Sequence, residues 1–183
     1  QNKKRKYLRI KNKLSTSIGK RWIEVTPSNQ LKLDIEINYP NTIIGKDNYS
    51  YFHDEINFVK NICLARTFAF AKDVNKLRAS GFGIGGNLNN AILVDKKNIV
   101  NNSGLRCKNE FIKHKVLDCL GDFYLSGYQI IGSFKSFAPG HELNSEIILE
   151  IFKSESNYEI VQINDLDTTN LTTEINTPNY NVA

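Results

Sequence analysis

The sequence predicts an α+β fold, in which helices cover a sheet, rather than a doubly wound sheet of alternating strands and helices. Two observations favour this class: the chain opens on segments that alternate apolar and polar residues, and later segments mix helical with extended patterns. The chain has 183 residues, of which 40% are hydrophobic and 23% are charged. This length and composition are typical of one globular domain with its own core.

Three antiparallel strands are predicted at the start of the chain, because their segments show the period-two alternation of strands with one covered face. The segments are 7–12, 21–26 and 30–37. Turn-forming residues separate them at 15–20 and 27–29. Pro40 would end the third strand, because proline cannot donate to a strand ladder. A polar loop is expected from Asn41 to about Tyr49.

Four helices are predicted further along, at segments whose apolar residues recur at helical spacing. The segments are 54–63, 71–80, 109–126 and 141–152, with extended segments expected at 64–70, 90–95 and 130–137. The first helix would bury a stripe of Ile56, Val59 and Ile62. The third helix has the clearest pattern, and Gly127 would serve as its C-cap. Its predicted apolar face contains Phe111, Val116, Leu117, Leu120 and Tyr124.

Positive charge is concentrated near the beginning of the chain. The net charge is +5, and nine of the first twenty-one residues are Lys or Arg. Such a patch could meet nucleic acid, an anionic lipid surface or a phosphorylated substrate. It could equally be the solvated edge of a strand. The sequence leaves these four interpretations open.

Composition also favours a protein that is soluble and not exported. No apolar run reaches membrane-spanning length, and no apolar stretch follows the basic start as in a secretory signal. Cys63, Cys107 and Cys119 are odd in number and contain no CxxC pair, so free thiols are expected in a reducing compartment. The cytoplasm, or the stroma of a plastid, fits these features. The segment 154–183 is rich in Asn, Thr, Asp and Ser and predicts a polar, mobile tail.

The third predicted helix carries His114, Asp118 and Asp122 at spacings of four. Residues four apart lie on one side of an α-helix, so an imidazole and a carboxylate would converge on a single point. Histidine nitrogen and aspartate oxygen are ligands that Zn²⁺ accepts. A histidine and an aspartate at this spacing also occur on ordinary solvated helices, and more often than in metal sites. Spacing alone therefore leaves both interpretations open.

The segment 110–122 (EFIKHKVLDCLGD) closely resembles the signature region of the UDP-3-O-acyl-N-acetylglucosamine deacetylase family. Further matching motifs occur in the same order along the chain. They are 65–70 (ARTFAF), Gly85-Gly86, 90–92 (NAI) with Asp95, 104–106 (GLR), Gly127, Ile131-Gly132 and Gly140-His141. The resemblance extends from about Trp22 to Phe152, and several motifs in fixed order are far more specific than any one of them.

The resemblance implies that residues 1–153 form the C-terminal catalytic domain of such an enzyme. This domain is a sheet covered by helices on one face, with an inserted strand-helix-strand subdomain that forms a hydrophobic passage for an acyl chain. The insert would span about 68–94. Candidate substrate-binding residues in the passage are Phe68, Val74, Ile84 and Leu93. Ordinary core packing is the alternative role for each of them.

The resemblance also implies a zinc-dependent hydrolysis that removes the N-acetyl group of UDP-3-O-acyl-N-acetylglucosamine, the committed step of lipid A biosynthesis. His114 and Asp118 would be zinc ligands. His141 would stabilise the oxyanion and protonate the departing amine, while Asp122 would orient His141 and keep it cationic. Further expected contacts are Thr67 to the tetrahedral oxygen, Lys115 to the substrate and Arg21 as a basic substrate contact.

Two departures from the family pattern bear on these expectations. The remaining zinc histidine and the glutamate base belong to a preceding domain whose motif is not found here, so the site is expected to be incomplete as given. His53 lacks the matching neighbours and is not assigned to that role. Ala138 stands where the family commonly has a basic residue that contacts the diphosphate. Arg21 and Lys135 are the residues expected to compensate.

The expected partner is the UDP-linked acylated amino sugar, bound by a monomer that approaches a membrane surface transiently and does not bind nucleic acid. Two alternatives remain: a catalytically inert domain, and a binding module that holds nucleic acid on its basic N-terminal strands and on Tyr7 and Trp22. The segment 81–86 (GFGIGG) formally matches a dinucleotide fingerprint. A helix precedes it and a strand follows, the reverse of the order that the fingerprint needs, so a tight turn is expected.

Overall fold

The computed structural model describes residues 5–162. The strands are β1 (Lys6–Ile10), β2 (Leu14–Ile18), β3 (Arg21–Thr26), β4 (Lys32–Tyr39), β5 (Gly45–Phe52), β6 (Thr67–Phe70), β7 (Ala91–Asp95), β8 (Asn98–Ile99), β9 (Gln129–Ile131), β10 (Ser133–Phe137) and β11 (Tyr158–Gln162). The α-helices are α1 (Glu55–Asn57), α2 (Val74–Ala79), α3 (Glu110–Phe123) and α4 (His141–Phe152). The predicted α+β class is confirmed.

The central sheet has five strands in the order β2-β3-β10-β4-β5. Strand β10 lies between β3 and β4, antiparallel to the first and parallel to the second. Its Phe134 pairs with Val25 on one side and Leu33 on the other, and all three side chains are buried. The three strands predicted at 7–12, 21–26 and 30–37 are present as β1, β3 and β4, but they do not pair with one another. Burying Phe134 at the centre of the sheet separates β3 from β4.

Two strands of this sheet lie where turns and loops were predicted. Strand β2 overlaps the predicted turn at 15–20, and β5 overlaps the predicted loop at 41–49. In β5, Lys46, Asn48 and Ser50 are exposed, while Asp47, Tyr49 and Tyr51 share the other face and Tyr51 is buried in the core. Both segments alternate at period two, but with hydroxyl-bearing or aromatic residues in place of some aliphatic ones.

A second, three-stranded sheet has the order β11-β1-β9. Strand β1 pairs antiparallel with β11, where Lys6 faces Gln162, and parallel with β9. The predicted mobile tail is thus wrong for residues 158–162, which form β11; residues 163–183 lie outside the described part of the chain. The apolar residues Ile160 and Tyr158 in an otherwise polar segment account for the strand.

Gly132 separates β9 from β10, so the single strand predicted at 130–137 is two strands in two different sheets. A Cβ atom at this glycine would lie 2.8 Å from Cγ1 of Ile10 and 3.2 Å from Cγ2 of Val25. The two sheets therefore approach each other closely at a position where a side chain would clash.

Helices α3 and α4 cover one face of the central sheet and contact each other. The apolar side of α3 is buried, and Phe123 stacks on Phe134 with ring centroids 4.3 Å apart. Gly127 has φ +77° and ends the 3₁₀ turn that follows α3, which confirms the predicted cap. Tyr124 is 57% exposed and does not belong to the buried face, because α3 has already given way to that turn.

The segment predicted as a helix at 54–63 is the short α1 followed by a π-helical segment, Phe58–Ile62. Only Ile62 of its predicted stripe is buried, whereas Ile56 and Val59 are 66% and 58% exposed. The wider turn of a π-helix shifts residues off the face that α-helical spacing would give.

No helix within residues 5–162 is long and apolar enough to cross a membrane.

A third sheet contains β6, β7 and β8. Strands β6 and β7 pair in parallel, and the chain between them forms a 3₁₀ turn, α2 and a glycine-rich loop. This small strand-helix-strand unit stands beside the first half of α3, because Phe68 packs edge-on against Phe111 with ring centroids 5.2 Å apart.

Candidate active site

Helix α3 presents His114, Asp118 and Asp122 along one side, and α4 begins at His141 beside the last turn of α3. Nε2 of His114 lies 3.1 Å from Oδ1 of Asp118, and Nζ of Lys115 lies 3.0 Å from Oδ2 of the same carboxylate. Burial acts to raise the pKa of Asp118, but the hydrogen bonds and charges of His114 and Lys115 outweigh it and lower the pKa. Asp118 is therefore a carboxylate over the physiological range.

The hydrogen bond at Nδ1 of His114 determines whether Nε2 carries a proton in the neutral ring. Nδ1 lies 3.3 Å from the carbonyl oxygen of Ala65, which can only accept a hydrogen bond, so Nδ1 is the donor. In the neutral ring Nε2 then directs a lone pair at Oδ1 of Asp118. Two electron-rich atoms at this separation repel each other unless a proton or a metal cation lies between them.

These donors fit a zinc ion, although they do not complete its coordination. Two ligands at 2.0–2.2 Å from one tetrahedral ion are about 3.3–3.5 Å apart, close to the 3.1 Å between Nε2 of His114 and Oδ1 of Asp118. A carbonyl that fixes the tautomer of a histidine ligand is also common around zinc. Within residues 5–162, however, no group of three or more His, Cys, Asp or Glu side chains could hold a metal ion.

A buried ion pair holds the segment that contains the Ala65 carbonyl. Nε of Arg66 donates to Oε1 of Glu110 at 2.8 Å and its Nη2 donates to Oε2 at 3.0 Å, while the backbone N–H groups of Arg66 and Arg106 also donate to the carboxylate. Burial opposes ionisation of Glu110, but these hydrogen bonds lower its pKa, and the hydrogen bond to Glu110 raises the pKa of Arg66. The pair joins the start of α3 to the chain entering β6. Sequence analysis did not assign it a role.

The second histidine–carboxylate pair lies where α3 meets α4. Nδ1 of His141 is 2.9 Å and 3.0 Å from the two carboxylate oxygens of Asp122, as expected from the sequence. Nδ2 of Asn144 donates to Oδ2 of Asp122 at 2.8 Å. Asn144 was missed by sequence analysis; the signal that could have found it is a polar residue among the apolar positions of α4. Burial raises the pKa of the neighbouring Cys119 thiol far above its usual range.

A cavity of about 450 Å³ opens beside this site, between α2, the glycine-rich loop and strands β6 and β7. Four predicted site residues line it, namely Thr67, Phe68, Val74 and Leu93. The ring of Phe68 also approaches the site on α3, with its centroid 6.5 Å from the His114 ring and 5.6 Å from Nζ of Lys115. Ile84 is 75% exposed and is not among the lining residues.

The expected basic contacts lie on different faces of the protein. Nη2 of Arg21 pairs with Glu142 at 2.9 Å, next to His141 at the start of α4. Lys135 is exposed and lies between Phe134 and Ser136, which face the helices, so it points to the opposite face of the sheet. Strand alternation therefore directs Lys135 away from the face that carries Arg21, and its compensation for Ala138 stays a prediction.

His53 does not join this site. Its Nδ1 lies 3.0 Å from the hydroxyl oxygen of Tyr51 at the end of β5, and burial lowers its pKa. Cys63, Cys107 and Cys119 are free thiols, of which Cys119 is buried. His53 thus hydrogen-bonds to Tyr51 of β5 and not to the histidine–carboxylate pairs of α3 and α4.

An α+β domain in which α3 and the start of α4 form two histidine–carboxylate pairs has the groups that hydrolytic enzymes use for acid–base chemistry. Residues 1–153 match the model of the UDP-3-O-acyl N-acetylglycosamine deacetylase family. The chain belongs to this family.

Several curated relatives carry the name UDP-3-O-acyl-N-acetylglucosamine deacetylase. The protein of Pasteurella multocida (strain Pm70) is 41% identical over 167 residues, which cover 90% of this chain and 55% of the relative. That of Campylobacter fetus is 38% identical over 88% of this chain and 55% of the relative. That of Wigglesworthia glossinidia brevipalpis is 40% identical over 85% and 53%. The chain thus spans about half the length of the curated relatives it matches.

Proposed function

We propose that this chain is the C-terminal catalytic part of a zinc-dependent amidohydrolase that removes the N-acetyl group of UDP-3-O-acyl-N-acetylglucosamine, in the biosynthesis of lipid A. Two histidine–carboxylate contacts in a chain of this family carry the proposal: His114 with Asp118 on α3, and His141 of α4 with Asp122 of α3. Amide hydrolysis needs an electrophilic centre, an activated water and a proton for the leaving amine.

His114 and Asp118 would hold the zinc ion, and a bound zinc ion would supply a Lewis acid that polarises the carbonyl and lowers the pKa of water. His141, exposed at the start of α4, would give a proton to the departing amine. Asp122 accepts a hydrogen bond from Nδ1 of His141 and would orient the ring. Lys115, whose Nζ lies 3.0 Å from Asp118, and Thr67, which lines the neighbouring cavity, would bind polar atoms of the substrate.

We propose that the cavity between β6, β7 and α2 receives the acyl chain. Its volume is typical of ligand pockets, and its lining is mostly apolar, including Phe68, Val74 and Leu93. Because Phe68 contacts both this cavity and the His114 ring, an acyl chain bound there would lie beside the reacting group. The insert at about 68–94 would then act as a substrate-binding subdomain.

A complete zinc site needs donors beyond the described residues. Structural and catalytic zinc sites have at least three protein ligands, and His114 and Asp118 supply two. We propose that the remaining zinc histidine and the glutamate base come from the part of the family's length that this chain does not match. The whole enzyme is proposed to act as a monomer in the cytoplasm, or in a plastid stroma, with transient contact to a membrane surface.

The alternative of a nucleic-acid-binding module has no comparable support. It depends on free basic side chains near the start of the chain, and three of these are already ion-paired within the protein. The pairs are Arg9 with Glu159, Lys13 with Glu24 and Arg21 with Glu142. Paired cations release fewer counterions on binding a phosphate backbone.

The proposal can be tested in a chimera in which this chain replaces the matched 167 residues of the Pasteurella multocida relative. We expect the chimera to bind one zinc ion and to release acetate from UDP-3-O-acyl-N-acetylglucosamine. His114→Ala and Asp118→Ala should each lower zinc affinity at least tenfold, because each removes a ligand. His141→Ala should retain zinc and lower kcat by about 10²–10⁴-fold, because it removes an acid–base group.

Zinc content is measured by elemental analysis after dialysis against a competing chelator, and acetate release is measured separately. The matched control is His53→Ala, which removes a histidine that is hydrogen-bonded to Tyr51 of β5 and should change neither quantity. Unchanged zinc affinity in His114→Ala would refute its role as a ligand. A chimera that binds zinc but releases no acetate would refute the proposed reaction while leaving the metal site intact.

A further inference from the structure

Asn144 is a fully buried polar residue on α4, one turn after His141. Its neighbours on the buried side of the helix are apolar, such as Leu143 and Ile147. Burying an amide among apolar side chains is costly unless both its donor and its acceptor find partners. Both do: Nδ2 donates to Oδ2 of Asp122 at 2.8 Å, and Oδ1 lies 3.7 Å from Sγ of Cys119.

The chemistry of the two partners fixes the orientation of this amide. A carboxylate can only accept hydrogen bonds, so the nitrogen of Asn144 must face Asp122. The oxygen of Asn144 then faces Cys119, whose thiol is fully buried and acts as the donor. The reversed amide would place an oxygen against the carboxylate and leave the NH₂ group against sulfur. Asp122 therefore sets the orientation of the Asn144 amide, and the thiol of Cys119 supplies a weak donor that matches it.

His141 depends on Asp122 for its own orientation. Its side chain is 76% exposed, whereas that of Asp122 is 17% exposed. Among residues 5–162, Asp122 is the sole side chain hydrogen-bonded to the imidazole of His141. A carboxylate held only by an exposed ring would rotate freely, but the hydrogen bond from Asn144 ties Oδ2 to the buried side of α4.

We propose that Asn144 is a positioning residue: it holds the carboxylate of Asp122 so that this group accepts the Nδ1 proton of His141 and leaves Nε2 as the free ring nitrogen. The catalytic meaning of this arrangement rests on the proposed function, but the arrangement itself is a property of this chain. Asn144 acts through Asp122, and Cys119 acts through Asn144.

The arrangement determines which nitrogen of His141 can exchange protons with a substrate. In water a neutral imidazole carries its proton mostly on Nε2, whereas a fixed carboxylate at Nδ1 favours the opposite tautomer. Because Nδ1 is hydrogen-bonded to Asp122, Nε2 donates a proton when the ring is cationic and accepts one when the ring is neutral. An unsupported Asp122 would no longer determine the tautomer of His141. In other histidine–aspartate pairs, the wrong histidine tautomer strongly lowers kcat.

The test is the tautomer of His141, measured by ¹⁵N NMR on the full chain with labelled histidine. The chain has three histidines, so each imidazole can be assigned by substitution. We expect neutral His141 to be mainly the Nδ1–H tautomer in the unmodified chain. In Asn144→Leu, which preserves volume but removes the amide, the population should shift toward Nε2–H. Cys119→Ala should give a smaller shift in the same direction.

The signals of His53 and His114 serve as internal controls, because neither ring contacts Asn144. If they keep their positions in Asn144→Leu while His141 stays an Nδ1–H tautomer, the proposal is overturned. A measurement on the unmodified chain remains decisive even if the leucine variant does not fold. The side-chain NH₂ of Asn144 should be protected from solvent exchange, and Asp122→Ala should remove that protection; an unprotected NH₂ would also overturn the proposal.

Activity then separates this inference from the proposed function. In the chimera described above, Asn144→Leu should lower kcat by about a hundredfold, since a small misplacement of an acid–base group has effects of that size. KM and zinc content should not change. A tautomer shift in a chimera that releases no acetate would sink the proposed reaction and leave the positioning role in place. A tautomer shift with unchanged kcat would show that the orientation has no catalytic effect and would overturn the positioning role.

Discussion

The two ends of α3 carry carboxylates in opposite surroundings. Glu110, in the first turn, is fully buried and accepts hydrogen bonds from the Arg66 side chain and from two backbone N–H groups. Asp122, in the last turn, is partly exposed and pairs with His141, which is 76% exposed. The first pair is closed to solvent, whereas the second can exchange protons with it.

One helix can thus contribute to stability at one end and to chemistry at the other. A buried charge is tolerated only when its partner is fixed, so the pair of Glu110 and Arg66 holds the start of α3 in place. A proton-transfer group must meet solvent or substrate, so His141 gains little stability from its contacts. Asp118 lies between these extremes, half-way along the helix and 12% exposed.

The largest effect is expected at the buried end. Glu110→Gln leaves the guanidinium of Arg66 buried without a counter-charge, which should lower the free energy of unfolding by about 3–5 kcal/mol. The measurement is chemical denaturation followed by circular dichroism. Glu159→Gln is the matched control, because it breaks the exposed pair with Arg9 and should cost less than about 1 kcal/mol. Equal losses in the two variants would erase the contrast between buried and exposed pairs.

A smaller effect should appear on acidification. The folded pKa of Glu110 lies below its usual value of 4.5, because the hydrogen bonds from Arg66 outweigh burial. Its contribution to stability is therefore complete above the unfolded pKa and is lost as the pH falls through the folded pKa. Asp118 contributes in the same direction, below its usual 3.8.

We expect the free energy of unfolding of the unmodified chain to fall more steeply below about pH 4.5 than that of Glu110→Gln, by at most about 1.4 kcal/mol per pH unit. Denaturation curves recorded at several pH values measure both slopes. Parallel slopes for the two proteins would mean that Glu110 does not titrate differently in the folded and unfolded states.

The smallest effect is expected at the open end. His141→Ala removes an exposed ring whose one side-chain partner among the described residues is Asp122, so the free energy of unfolding should change by no more than about 0.5 kcal/mol. The same denaturation experiment measures it. A loss above about 1 kcal/mol would show that His141 has a structural role, and the buried and exposed ends of α3 would then not differ in their contribution to stability.

Helices α3 and α4 could be predicted from the sequence because the residue patterns that indicate them lie within each helix or its cap. Apolar spacing, the terminal Gly127 and the four-residue spacing of His114, Asp118 and Asp122 all lie within one helix or its cap. The pairing of Asp122 with His141 was also expected, and there the resemblance to a family supplied a contact between two helices that spacing alone could not.

The order of the strands was not predictable in the same way. Which strand pairs with which depends on burial between distant segments, so nothing near 21–26 or 30–37 indicates that β10 would lie between them. Strand β5 was missed because its Gly, Asp, Asn and Ser residues are typical of loops when read locally. Its two inward tyrosines become informative only once the core is known.

Glu110 and Asn144 were missed as supporting residues for a related reason. Each is a polar residue on the buried side of a helix, which is a recognisable departure from an apolar stripe. The departure indicates a buried polar contact but does not name the partner. Arg66 and Asp122 lie on other elements, and only the fold brings them within hydrogen-bonding distance.

The sheet that joins β1 to β9 and β11 has a consequence for the order of folding. Strand β1 finds its partners only after nearly the whole described chain has been synthesised, since Lys6 pairs with Gln162 and Leu8 with Ile130. Contacts between such distant segments close slowly and late. On the ribosome, the first strand is therefore expected to wait as an unpaired edge until α3 and β9 have emerged, and chaperone binding or premature aggregation would begin there.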